Sequence, residues 1–195
     1  MIRATWIALM VLLAGVAVCA QIDRATVNDP ALAVLVPGPF RAFAQAPLAA
    51  AALVGTDGDA AIKEAQVLVR RRPVPAEHLF LLSMANLTSG DPQGFAKAFE
   101  LSTRRGWRAR PVQATAARAA LDTGDVEAAA NRIAALWALG PDDETRALTK
   151  ELLDRPGGRA AFELRADANP VWRASGRRAL DRDDASERRR LPVRQ

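Results

Sequence analysis

The chain has no tyrosine, one histidine, one cysteine and only three lysines among its 27 basic residues. With Cys19 as its sole cysteine, it can form neither an intramolecular disulfide nor a cysteine-based metal site. His78 alone cannot supply the second imidazole that most zinc sites need. Standing next to Glu77 near a predicted helix start, it reads as a surface residue and not as a general base. Aromatic residues and isoleucine are few, which leaves β-strands poorly supplied and offers little stacking surface for sugars. A nucleophile elbow, a phosphate-binding loop and a dinucleotide fingerprint are all missing from the sequence. The expectation is a protein that is not an enzyme and that holds no cofactor and no metal.

Alanine, leucine and arginine fill the chain instead, and they are among the strongest helix formers. The fold class expected is all-α. The formal net charge is +5, and from Arg173 onward eight arginines stand against four acids, so the rest of the chain is nearly balanced. Arginine in place of lysine, with abundant alanine, is the habit of a GC-rich genome. The basic balance therefore does not argue for a nucleic-acid partner.

Residues 1–22 read as a membrane anchor or signal segment. Ala4 to Ala20 carries no charge and follows a short leader with Arg3 and the free amino terminus. That length lies at the short end for a spanning helix and is long for the core of a cleaved signal. The positive leader is expected to stay in the cytoplasm. The reading preferred is a single-pass inner-membrane anchor with the helical domain in the periplasm. Cleavage near Ala20, with secretion to the periplasm, is the alternative. Lipidation of Cys19 is disfavoured by Val18 directly before it. Residues 23–45 read as a linker, since Asn28-Asp29-Pro30 and Pro37-Gly38-Pro39 stop or redirect a helix, with room for a short helix from Pro30 to Val36.

Three segments then read alike: Thr56-Asp57-Gly58-Asp59, Thr88-Ser89-Gly90-Asp91 and Asp122-Thr123-Gly124-Asp125. Their glycines recur at an interval near that of helix-turn-helix solenoids. In each, glycine can end one helix in the left-handed conformation and the following Asp can cap the next. Helices are expected over 47–54, 76–87 and 111–121 before the turns, and over 60–71, 92–105 and 126–139 after them. Phe95, Ala98, Phe99 and Ser102 share one face, as do Ala129, Ile133, Leu136 and Trp137.

Seven residues before each glycine stands a small residue, Ala51, Ser83 or Ala117. Nine after it stands an apolar one, Val67, Phe99 or Ile133. Seventeen after stand Pro75, Trp107 and Pro141. On these residues the stretch 46–141 resembles the tetratricopeptide family. It departs from the family pattern in lacking the early aromatic (Pro47, Leu79, Gln113), in Lys63 and Phe95 at the small position five after the glycine, which only Ala129 meets, and in Arg70, Ser102 and Leu136 at the one twelve after it. The resemblance implies antiparallel helix pairs stacked as a short α-solenoid. Residues 142–175 read as C-terminal capping helices and 176–195 as a charged, disordered tail. The ending, with Pro156, Phe162, Pro170 and Trp172, is similar to that of short membrane-anchored repeat proteins of Gram-negative bacteria.

By the same resemblance a concave groove would present Phe80, Met84 and Arg118 to a protein or peptide partner. A second candidate surface comes from the residue types: Arg104, Arg105, Arg108 and Arg110 flank Trp107 with no acid between them, and Arg and Trp are enriched at binding hot spots. The plainer reading is that Trp107 packs the closing of a repeat under the arginine stems. The functional expectation is a membrane-tethered interaction module or scaffold of the bacterial envelope. The alternative is an accessory factor in export or assembly of a cell-surface polysaccharide.

Overall fold

The computed structural model describes residues 2–55 and 57–190. Every regular element among them is helical and no strand occurs there. The chain divides into two compact units, Met1–Ser102 and Thr103–Gln195.

The first unit begins with α1, Ile2–Ala25. It exceeds the uncharged run because Gln21, Asp23 and Arg24 continue the helix without a breaker. Within Arg3–Ala25 an 18-residue stretch has a mean hydropathy of 2.2, so the helix is long and apolar enough to cross a membrane, as a signal sequence also is. Two short 3-10 helices follow, Pro30–Leu35 and Gly38–Phe40. Asp29 caps the first, its carboxylate accepting the Ala31 N–H at 3.1 Å. The segment expected as a linker is thus built into the fold. Ala33, Val36 and Ala44 form a buried cluster against Ile22, Phe40 and Leu48.

Then come α2 (Gln45–Val54), α3 (Gly58–Arg71), α4 (Ala76–Thr88) and α5 (Pro92–Arg105). Helix α2 packs on α3 and α4, and α3 packs on α4. Ala61, Ala65 and Ala85 make their core, with Ala52, Leu53, Ile62 and Leu82 around it. Small side chains permit close helix approach, but they bury little apolar area each. The buried Gln45 amide donates to the Glu64 carboxylate at 2.6 Å and ties α2 to α3.

The second unit holds α6 (Arg110–Thr123), α7 (Val126–Ala138), α8 (Asp143–Leu153), α9 (Gly158–Ala168) and α10 (Arg173–Arg190). Helix α7 touches α6, α8 and α9, and α10 lies on α9. The core is far larger here. Leu121, Ile133, Leu136, Leu148, Leu152 and Phe162 are fully buried, with Trp137 and Trp172 beside them. The Phe162 ring lies 5.9 Å from Trp137 and 5.5 Å from Trp172. Trp137 donates its indole N–H to Thr149 at 2.9 Å, whereas the buried Trp172 N–H has no partner.

The stretch expected to be disordered from Gly176 is helical as far as Arg190. The reason is local: Leu180 is buried in the core, and Arg177 pairs with Asp167 at 2.7 Å, which holds the start of α10 to α9. The last five residues of the expected tail lie outside the described residues.

The turns between helices keep one chemistry and correct one expectation. Gly90 and Gly124 take left-handed φ angles of 80° and 75°. Directly after them the Asp91 N–H reaches the Asn86 carbonyl at 2.9 Å, and the Asp125 N–H reaches the Ala120 carbonyl at 2.9 Å. These bonds satisfy orphan carbonyls at the helix ends. Gly58 does not belong with them. It is the first residue of α3, and the cap is Asp57, whose carboxylate accepts the Ala60 N–H at 3.0 Å. Asp91 does the same for Gly94 and Asp125 for Ala128, both at 2.9 Å. Asp57, Asp91 and Asp125 are therefore equivalent, and their interval is constant along the chain.

In this register the first unit moves by two residues. Ala49, Ser83 and Ala117 become equivalent, and all three are fully buried. Ala61 and Leu68 replace Lys63 and Arg70 as the inward residues of α3, while Lys63 and Arg70 face water. The mismatch at Lys63 and Arg70 comes from pairing Gly58 with Gly90 and Gly124, whereas Leu68, Phe95 and Leu136 remain larger than the residues the family pattern has at those positions.

Candidate functional site

The residues singled out as partner-binding divide between the two units. In the first, Phe80 and Met84 are half-buried on α4. Phe80 points toward α5, with its ring 6.3 Å from Phe99, which in turn stacks on Phe95 at 5.3 Å. Phe99 thus covers part of the half-buried Phe80 ring.

In the second unit Arg118 is exposed on α6 and forms an ion pair with Glu151 of α8. Arg110, at the start of α6, is more deeply engaged. It reaches the Asp142 carboxylate at 2.9 Å and the Thr145 hydroxyl at 3.1 Å, and it donates to the Gly140 carbonyl at 2.5 Å. Asp142 caps α8. The hydroxyl and N–H of Thr145 hold its carboxyl below the usual range, and Arg110 adds to the effect. This cluster fastens the α7–α8 turn to α6, so Arg110 serves structure.

Trp107 corrects the plainer expectation. It lies in the short turn between α5 and α6 and is 58% exposed, so it does not pack a repeat junction. The neighbouring small residues fill that place: Gly106 and Ala109 are buried, and the buried Gln113 amide donates to the Gly106 carbonyl at 2.9 Å. With its backbone held from below, Trp107 is turned outward. The Arg108 guanidinium lies 4.3 Å from its ring centroid. Arg104 and Arg105 are exposed on the last turn of α5. An exposed indole under a guanidinium presents a flat apolar face with a cationic edge, a combination suited to anchoring a partner.

His78 also differs from expectation. It is 6% exposed, and its Nδ1–H donates to the Arg72 carbonyl at 2.8 Å, closing the turn between α3 and α4. Burial lowers its pKa below the ordinary histidine value, against the raising effect of that hydrogen bond. The neutral form is favoured in the folded protein, so unfolding takes up a proton between the lowered pKa and about 6.5. Stability of the first unit is then at its full value above that window and falls as pH drops through it. Urea midpoints followed by circular dichroism from pH about 7 to about 5 should decline, and His78→Asn, which can still donate to Arg72, should flatten the decline. An unchanged slope in the variant would remove His78 as its source.

Sequence reasoning missed Asp23 altogether. It follows the apolar run in α1 and is 4% exposed. One carboxylate oxygen accepts the N–H groups of Ala42 at 3.0 Å and Ala44 at 2.9 Å, and both oxygens lie 3.0 Å from the Phe43 nitrogen. The end of α1 is thereby bonded to the approach of α2. No signal close in sequence marks this, because the partners lie some twenty residues away.

Among the described residues no group of three or more His, Cys, Asp or Glu side chains is placed to share a metal ion. No family model, no curated protein and no solved structure matches the chain.

Proposed function

We propose that the chain is a membrane-tethered, tetratricopeptide-like repeat protein of the bacterial envelope that acts by binding a protein partner and not by catalysis. One observation carries this reading: the constant interval of the capping residues Asp57, Asp91 and Asp125, together with the buried small residues Ala49, Ser83 and Ala117 in the same register. A chain that repeats cap and contact at that interval builds one helix pair several times, as binding solenoids do. On this reading the pairs are antiparallel, α1 is retained as a single-pass inner-membrane anchor, and the remainder is periplasmic. The bonds that Asp23 makes from within α1 favour retention, since cleavage near Ala20 would place that residue almost at the new terminus. Intact-mass measurement of the membrane fraction should return the full chain, and a terminus at Gln21 would overturn the anchor.

The surface assigned to the partner is the exposed Trp107 with Arg108. Crosslinking in cells from a photoreactive residue at Arg104 should capture one specific protein. Trp107→Ala should weaken that capture at least tenfold, corresponding to the loss of an anchor worth about 2 kcal/mol, without changing the helical content. Equal capture by the variant would remove Trp107 from the interface, and the absence of any specific product would overturn the binding role.

A further inference from the structure

The join between α1 and the first unit contains no spacer. No charged residue stands between Arg3 and Asp23, and at about 1.5 Å of rise per residue that stretch is about 28 Å long, close to the thickness of a hydrocarbon core. Asp23 is the first group past it, and Ile22 is the last residue of the apolar stretch. Ile22 packs against the buried cluster of Ala33, Val36 and Ala44, and Asp23 bonds the backbone of residues 42–44. A headgroup layer is about 5–7 Å thick on each side. With α1 spanning a bilayer, the residues that touch Ile22 and Asp23 are carried to the edge of that layer, and attraction to the headgroups decides whether their surface turns onto it.

The surface held there is basic and apolar. Val27, Val34 and Leu35 are exposed beside the buried Ala33 and Val36. Arg24 is exposed on the last turn of α1. The Arg41 side chain donates to the Val36 carbonyl at 2.7 Å, and Arg71 donates to the carbonyls of Arg41 and Gly38, which brings the end of α3 to the same place. The Arg72 guanidinium lies 4.5 Å from the centre of the Phe43 ring. Within residues 23–45 the acids are two. Asp23 is buried on three N–H groups, and Asp29 caps the 3-10 helix. Guanidinium groups outnumber carboxylates, and the apolar side chains between them have no cover within the unit.

We propose that this collar, Arg24, Arg41, Arg71 and Arg72 with Val27, Val34 and Leu35, docks on anionic phospholipid headgroups at the bilayer surface where α1 emerges. The proposal rests on α1 being retained as an anchor. Docking would hold the first unit against the membrane in one orientation, where a flexible linker would let it rotate freely. Each arginine near an anionic surface shifts such an equilibrium by about fivefold.

The test uses the full chain with Cys19→Ala, carrying one spin label at a time through Leu12→Cys, Leu35→Cys or Val54→Cys. Each is placed in nanodiscs of phosphatidylcholine alone or with phosphatidylglycerol, and accessibility to a water-soluble nickel complex is read. The expected result is a shielded Leu12 position and an open Val54 position in both lipids. The Leu35 position should become shielded when phosphatidylglycerol is present, and Arg24→Gln should reduce the docked-to-free ratio by about fivefold. A Leu35 label as open as Val54 in the anionic lipid, with Leu12 shielded, would overturn docking and leave the anchor standing. Leu35 equally shielded in both lipids would overturn the role of anionic headgroups. A Leu12 label open to nickel would overturn the anchor itself, and the docking with it.

Discussion

Phe162→Ala should cost the second unit about 3–5 kcal/mol, the range for removing a fully buried aromatic side chain. Phe162 has no exposed surface and touches both Trp137 and Trp172. Its truncation therefore deletes a side chain and also the middle of a three-ring cluster in which each pair adds to area burial. The helices around it cannot close the gap cheaply. Trp137 is fixed by its hydrogen bond to Thr149, and Thr149 by its own to the Thr145 carbonyl at 2.7 Å. Chemical denaturation followed by tryptophan emission should show the midpoint falling with little change in slope. Phe162→Leu, which keeps most of the volume, should recover more than half of the loss. A cost below about 1 kcal/mol for the alanine variant would mean that the site collapses freely and that the ring cluster is not what holds α9 to α7.

Asp23→Ala should release the segment between α1 and α2 at a cost of about 1.5–3 kcal/mol, the range for hydrogen bonds made to a charged group. The variant leaves the N–H groups of Ala42, Phe43 and Ala44 without their acceptor, and Ala44 has no exposed surface on which water could replace it. Hydrogen exchange of the full chain should show protection lost at residues 42–48 and kept along α4. Asp23→Asn retains one acceptor oxygen and should restore part of the protection. Unaltered exchange at residues 42–44 in the alanine variant would show that the backbone alone sets their conformation.

Much of the helical layout was legible in the residues, and the reasons are local. Leu-, Ala- and Arg-rich stretches place α4 to α7 within two residues of where they lie, because Gly, Asp or Pro stands at most two residues from each of their boundaries. The first turn was misread because Gly58-Asp59 copies the Gly-Asp of the later turns. The cap there is the residue before the glycine, and the recurrence of Asp57, Asp91 and Asp125 was the signal that would have revealed it. Trp107 was expected inside because tryptophan is buried on average. In this turn Gly106 and Ala109 occupy the inner positions and leave the indole outside. His78 was expected outside because it neighbours Glu77, yet on a helix adjacent residues point to different faces. Asp23 was beyond reach, since its partners are distant in sequence and meet it only once the 3-10 helices turn the chain back.

The placement of the tryptophans has a practical consequence. Trp137 and Trp172 lie in the core of the second unit, Trp107 is on its surface, and the first unit has only Trp6, on the apolar helix α1. With no tyrosine in the chain, near-ultraviolet optical signals from the helices between Gln45 and Ser102 come from phenylalanine alone. Intrinsic emission will thus report the melting of one half of the protein while the other half melts unseen. A single smooth fluorescence curve would carry no information on whether the two halves unfold together.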